Sequence, residues 1–470
     1  MSAIHPIENR YGTPAMRDVF RQESRLRQLL RVEVALAEAE AELGMIPSEA
    51  ANRIASAASS GAVKLERVKE IEKAVKHDMA AVVYGLAEQC GEFGKYVHFG
   101  ATSSDILDTA TALQMSKALD QVELLLEDLV GMLISKAIAY RSTLCVSRTH
   151  GMHALPYIFG LKFAVWLDEV LRHVERIGEA RQRALVGKMG GAVGTFAGMG
   201  REGLKLQCLV MEKLGLGIPL ITTQVVSRDL HAEVVITLCL ISCTLDKVAT
   251  ELRNLQRTEI GEVQEPFVEG QVGSSTMPHK RNPETCEKIS GLARVMRGLL
   301  IPAMEDIVLW HERDLTNSST ERNILPEAFI LLSEQLQSIS RVLRGLDVNE
   351  ARMMRNLNMG GGIVVSEGVM LSLIRKGMDR KEAHELVSRI AGESFRSDQP
   401  FSALLRADQK VRGLLSESEL DVALDPRGYV GLAEVLIDRV IYEARDRMAK
   451  RKGVGPLSRQ SGTIGGSPMP

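Results

Sequence analysis

Two apolar seams constrain this chain more than anything else in it. Leu238, Ile241, Leu245, Val248, Leu252 and Leu255 recur at spacings of three and four, and so do Phe329, Leu332, Leu336, Ile339, Leu343 and Leu346. That alternating step is the period of a helix that keeps one apolar stripe against neighbouring helices over several turns. A third seam runs through Phe163, Leu167, Val170, Val174 and Ile177, and a fourth through Leu119, Val122, Leu126, Leu129 and Leu133. Ile289, Leu292, Met296 and Leu299 begin a fifth, which should end near Pro302. Five long helices between about 106 and 346 are therefore predicted, packed as a bundle. Composition agrees, because aromatic residues make up only 4% while Leu, Ala, Met, Arg and Glu abound, which favours helix over strand. The expected fold class is all-α. Helices this long often bury a second apolar face against other chains, so association of several copies is expected beside the internal bundle.

A chain of 470 residues exceeds one ordinary core, so several domains are expected. Residues 1–104 read as an N-terminal domain of shorter helices broken by Gly44, Pro47 and Gly61. Residues 105–355 hold the long helices. Beyond Gly360-Gly361-Gly362 a smaller helical domain occupies 356–450. The remainder, 451–470, is rich in Gly, Ser and Pro with little to bury, and is expected to be disordered.

The formal net charge is −2 and the pI about 6.6. That gives no electrostatic case for nucleic acid or an anionic membrane surface. The six cysteines are scattered; Cys239 and Cys243 lie four apart in an apolar helical stretch and read as core packing. With no CxxC pair, free thiols suit a reducing compartment. No basic-then-apolar leader and no run of 18 apolar residues occurs in the sequence, so a cytoplasmic, soluble protein is expected.

Four polar clusters interrupt the helical pattern. The first is Lys76-His77-Asp78. The second is His98 to Asp105, HFGATSSD, where Thr102, Ser103 and Ser104 stand just before an apolar helix. Hydroxyls and N–H groups there can hold a carboxylate, or can simply cap the helix. The third is Ser147 to Pro156, SRTHGMHALP, with Thr149, His150 and His153 in what reads as a break between helices. His150 and His153 stand three apart, but no HExxH or Cys/His framework accompanies them, so no metal site is expected. The fourth is Gly270 to Pro283, GQVGSSTMPHKRNP, which has no helical or alternating apolar period. It should be a loop presenting Ser274, Ser275, His279, Lys280 and Asn282, groups suited to anionic oxygens. Its glycines and prolines between rigid helices suggest a unit that moves and closes over a ligand.

The pattern GSS-x-MP-x-K-x-NP in this loop resembles the signature of the fumarase/aspartase superfamily, whose members eliminate fumarate from succinyl compounds. The version MPHKRNP is most similar to the adenylosuccinate-cleaving branch, with the carboxymuconate cycloisomerases close by. The resemblance covers residues 1 to about 450. It implies a three-domain fold with a long central helical bundle, a homotetramer with active sites shared between chains, and no cofactor. It implies cleavage of adenylosuccinate to AMP and fumarate, and of SAICAR to AICAR and fumarate, in purine nucleotide biosynthesis. The alternatives are a 3-carboxy-cis,cis-muconate cycloisomerase and a catalytically silent helical scaffold.

By motif position, Ser274 resembles the general base and His150 the general acid. Ser275 is the rival base, and the residues alone do not separate the two neighbours. Lys280 and Asn282 match positions that bind the succinyl carboxylates, with Thr102 and Ser103 opposite. His77, His98 and Glu287 match further active-site groups, Glu287 as the carboxylate that orients the acid. Arg10-Tyr11, in ENRYGTPAM, resembles a phosphate- and base-contacting pair. Arg313, Ser318 and Arg322 match residues that grip phosphate and ribose, and Gln224 a substrate amide contact. Asp78 and Thr149 join the substrate contacts. From charge pattern alone, Arg313 and Arg322 could instead pair with Glu312, Asp314 and Glu321 on the surface.

Overall fold

In a computed structural model the described residues are 5–267, 270, 273 and 275–453. Ser274 and the tail beyond 453 lie outside them. The N-terminal region holds α1 (Pro14–Val19), α2 (Gln22–Glu42), α3 (Ser48–Ser59), α4 (Leu65–Val75) and α5 (Asp78–Ala87). Then come α6 (Ser103–Ala139), the strands β1 (Leu144–Thr149) and β2 (Met152–Ile158), α7 (Gly160–Ala184), α8 (Gly203–Leu214) and α9 (Asp229–Gln256). After the short strand β3 (Val263–Gln264) follow α10 (Glu284–Gly298), α11 (Leu300–Glu305), α12 (Thr316–Arg344), strand β4 (Asp347–Val348) and α13 (Glu350–Leu357). The C-terminal region adds α14 (Ser366–Arg375), α15 (Arg380–Ser397), α16 (Phe401–Ala407), α17 (Gln409–Leu414), α18 (Glu417–Leu424) and α19 (Ala433–Gly453).

The five predicted long helices are α6, α7, α9, α10 and α12, and every residue named in their seams is buried. Each large aliphatic side chain so buried contributes roughly 1.5–3 kcal/mol. The chain forms two compact units. One comprises residues 1–128, 172–247 and 288–339; the other comprises 129–171, 248–287 and 340–470.

The core of the first unit gathers Leu29, Val32 and Leu36 of α2, Ile54 of α3, Met79 and Leu86 of α5, Ile106 of α6, and Leu206 and Val210 of α8. Two acids, Glu33 and Glu40, lie buried on the same face of α2. In this unit α12 carries Pro326 in its interior. Proline has no N–H, so the carbonyl of Arg322, one turn earlier, lacks its helical donor.

The second unit holds the main departure from the all-helical expectation. The cluster predicted as a break between helices is an antiparallel hairpin, β1 against β2, pairing Leu144 with Ile158 and Thr149 with Met152. The register shifts between Val146 and Arg148, where the Ser147 hydroxyl bonds both the N–H and the carbonyl of Leu155. Val146 packs with Leu357, Val364 and Val365. A separate cluster joins Val369 and Leu373 of α14, Ile390 of α15, Phe401 and Leu405 of α16, and Leu420 of α18.

Candidate active site

In the first unit α4, α5, α6 and α12 frame a cavity of about 450 Å³. Of the residues predicted to bind substrate, Asp78, Arg313, Ser318 and Arg322 line it. The chain reaches Asp78 through Lys76, in the left-handed region at φ 57°, and His77, which caps α5 by accepting the Ala80 N–H at Nδ1. With Nδ1 accepting, a neutral ring carries its proton on Nε2, free to donate. Arg322 bonds Asp78. Burial pushes the Asp78 carboxyl up, but the Met79 N–H, Arg322 and His77 outweigh it and hold the group below its ordinary value. Arg313 does not pair with its acidic neighbours in sequence. Its Nη1 donates to Ser104 at 3.0 Å and to the side-chain oxygen of Gln224 at 3.1 Å. Gln224 is thus brought to the same guanidinium.

The start of α6 answers the question of capping. The Thr102 N–H donates to Asp105 Oδ2 at 2.8 Å, and the Asp105 N–H to the Thr102 carbonyl. Asp105 is itself fixed by the fully buried Lys188, 2.6 Å away, and by the N–H groups of Gly190 and Gly191. Backbone and Asp105 therefore do the capping. The hydroxyls of Thr102 and Ser103, both half-buried, have no hydrogen bond among the described residues. Such donors at a helix N-terminus suit a carboxylate.

His98, with a positive φ of 64°, places Nδ1 2.7 Å from Glu33 Oε1. Burial opposes charge on the ring, but the hydrogen bond and charge of Glu33, with Asp105 behind, raise its pKa above the ordinary histidine value. Arg10 stacks over Tyr11 at 5.9 Å. Arg17 holds this pair by donating to the carbonyls of Tyr11 and Gly12.

In the second unit Thr149 and His150 are exposed at the tip of the hairpin. His150 and Gly151 both have positive φ, 55° and 79°, the signature of a two-residue type I′ turn. A histidine there is held in an uncommon backbone state at an exposed tip. Arg148 anchors the hairpin through a forked pair with the buried Glu262, at 2.7 and 3.1 Å. His153 is turned the other way chemically: burial, then the Arg148 charge, lower its pKa.

The polar loop has no helix or strand at its described positions between 270 and 283. It doubles back on itself: the Asn282 amide donates to the Gly273 carbonyl at 3.0 Å. A side chain at Gly273 would stand 2.4 Å from the Lys280 carbonyl. Lys280 and Ser275 are exposed. Glu287 is exposed in the first turn of α10, whose N-terminus is capped by Glu265 through the N–H groups of Thr285 and Cys286. Among the described residues no group of three or more His, Cys, Asp or Glu side chains could hold a metal ion.

Several residues around the cavity escaped the sequence reading. Arg228 forms a buried fork with Asp108, at 2.8 and 2.9 Å, and reaches Glu321, which also bonds His231. Partners 90 to 120 positions apart leave no local trace. Glu33 and Glu40 did leave one, since both interrupt the apolar stripe that runs through Leu26, Leu29, Leu30 and Leu36.

A family model described as "Lyase" matches residues 9–298, and one described as "Adenylosuccinate lyase C-terminus" matches 362–440. The adenylosuccinate lyase of Pyrococcus abyssi is 50% identical over 439 residues, 93% of this chain and 97% of that protein. That of Pyrococcus horikoshii is 49% identical over 96% of this chain and 99% of its own length. Among solved structures, a fumarate lyase from Mesorhizobium sp. BNC1 superposes with a TM-score of 0.86 at 35% identity, covering 94% of this chain and all of that one. A 3-carboxy-cis,cis-muconate lactonizing enzyme from Pseudomonas putida does so at 0.86 and 32%, with the same coverage.

Proposed function

The chain belongs to the fumarase/aspartase superfamily of lyases, on its adenylosuccinate lyase branch, and from that premise we propose how its residues divide the work. It cleaves adenylosuccinate to AMP and fumarate. The observation that carries this is identity of 50% across nearly the full length of an adenylosuccinate lyase, against 32% for the cycloisomerase-type structure.

Elimination needs a base, an acid and donors for the charge that builds on the carboxylate. Ser274 takes the proton from the carbon beside a succinyl carboxylate, and the C–H electron pair is held there in enolate-like form. Lys280, Asn282, Thr102 and Ser103 stabilise it; the free hydroxyls of Thr102 and Ser103 support that role. The pair then closes the C=C bond as the C–N bond breaks, and His150 protonates the departing nitrogen. The exposed turn that carries His150 supports its role as acid, with Glu287 orienting it and Thr149 beside it. Ser275 is the neighbouring alternative as base.

Arg10, Tyr11, Arg313, Ser318 and Arg322 hold the nucleotide, with Asp78 and Gln224 positioning the two arginines of α12 and its approach. His77 and His98 add donors at the phosphate and carboxylate ends. SAICAR is cleaved by the same chemistry, without a cofactor. The enzyme works as a cytoplasmic homotetramer whose active sites are shared between chains, and in chain order it divides at about 104 and 355.

The two ends of the substrate should fail separately. Arg322→Ala should weaken AMP binding roughly ten- to a hundred-fold, the worth of a charged hydrogen bond, and leave fumarate binding nearly unchanged. Lys280→Ala should show the reverse order. Calorimetric titration decides it; unchanged AMP affinity in Arg322→Ala, or none in the wild type, would count against a purine nucleotide substrate.

A further inference from the structure

The cavity of the first unit holds more guanidinium donors than its own groups satisfy. Arg313 uses Nη1 on Ser104 and Gln224, while its Nε is buried without a hydrogen-bond partner among the described residues. Arg25 of α2 lines the same cavity and was not singled out by any sequence motif. Its hydrogen bond among the described residues goes to the neutral side-chain oxygen of Gln114, at 3.1 Å. Gln114 cannot turn to offer more, because its Nε2 donates to the Val19 carbonyl at 3.0 Å. A guanidinium has five N–H donors in a fixed fork, so most of those on Arg25 remain for a ligand. Among the described residues no carboxylate lies within ion-pair distance of Arg25, whereas Arg322 is paired with Asp78 and Arg228 with Asp108. Burial, and then repulsion from Arg322, lower the Arg25 pKa, and the pull of Asp78, Glu321 and Asp108 offsets them only in part.

We propose that Arg25 is a further ligand of the substrate's phosphate, completing with Ser318 and Arg322 a three-sided anion site in this cavity. This deepens the reading given above and rests on it. A phosphate monoester offers three terminal oxygens and close to two negative charges, which match the unmet donors. The apolar wall formed by Leu26, Leu29, Val82 and Met115 lowers the local dielectric and strengthens each charged contact.

The test uses the full-length protein, its turnover of adenylosuccinate, and calorimetric titration with AMP and with fumarate. In Arg25→Gln the AMP dissociation constant and the KM should rise together, roughly ten- to a hundred-fold, with fumarate affinity unchanged and thermal melting near that of wild type. Arg25→Lys keeps the charge but loses the fork, and should fall between the two. AMP affinity within twofold of wild type in folded Arg25→Gln overturns the proposal. Where Arg25→Gln does not fold, Arg25→Lys decides, and wild-type AMP affinity in that variant overturns it too. A wild type that neither turns over adenylosuccinate nor binds AMP would instead sink the broader reading, so the two failures are distinguishable.

Discussion

Glu40 is a side chain whose chemistry departs far from its type. It is fully buried on α2, and neither carboxylate oxygen has a hydrogen-bond partner among the described residues. Burial, then the charge of Glu33 two turns away, push its carboxyl up to about 8. The folded state therefore keeps a proton that the unfolded chain has already released. Between the ordinary carboxylate value and about 8, stability must fall as pH rises, because the native state binds more protons than the unfolded one. Glutamine at this position cannot lose a proton. Glu40→Gln should leave the melting temperature nearly unchanged at pH 5 and raise it at pH 8.5, with a gain of up to several kcal/mol set by the size of the shift. Melting curves at the two pH values check this; an equal effect at both, or a loss at pH 8.5, would contradict it. The acids on the stripe of α2 were legible in the sequence, but the pairing of Glu33 with His98 was not. It spans 65 positions, and only tertiary packing brings the two together.

At the scale of elements, periodicity told most. Seams repeated over three or more turns survive local noise, so α6, α7, α9, α10 and α12 could be read directly from spacing. The hairpin could not. Its alternation is broken by the shift at Ser147, Pro156 sits within β2, and its turn is His-Gly rather than a more familiar pair. The signature loop was legible as a loop, but its path was not. Gly273 lies where a Cβ would meet the Lys280 carbonyl at 2.4 Å, so only glycine lets the two strands of the loop approach. Gly273→Ala should displace Lys280 and the serines. A misplacement of about 1 Å can cost on the order of a hundred-fold in rate, so kcat should drop by at least about tenfold while the melting temperature stays near wild type. Steady-state kinetics with a parallel melt test this, and an alanine variant with wild-type kcat would show that the loop does not depend on this close approach.

For the whole molecule, the seams account for the buried faces of the long helices but not for the exposed apolar side chains. Leu204, Leu220, Ile221, Val308 and Trp310 all lie at the surface of the single chain, and large exposed apolar side chains are what an interface between chains would use. The homotetramer proposed above would cover such surfaces and complete the shared active sites. Light scattering should give about four times the chain mass of 51.6 kDa, and a clean monomer at micromolar concentration would remove both the assembly and the sharing of sites. Which branch of the superfamily the chain occupies was legible from the loop MPHKRNP together with Arg10-Tyr11 and the Arg313 to Arg322 segment, whereas Arg25 and the cavity it lines belong only to the folded molecule. Purified protein mixed with adenylosuccinate should convert it to AMP and fumarate in equal amounts, followed by ultraviolet absorbance and chromatography, and Ser274→Ala should be slower by about 10²–10⁴-fold. Adenylosuccinate left intact by the wild type, with carboxymuconate converted to its lactone instead, would contradict the account.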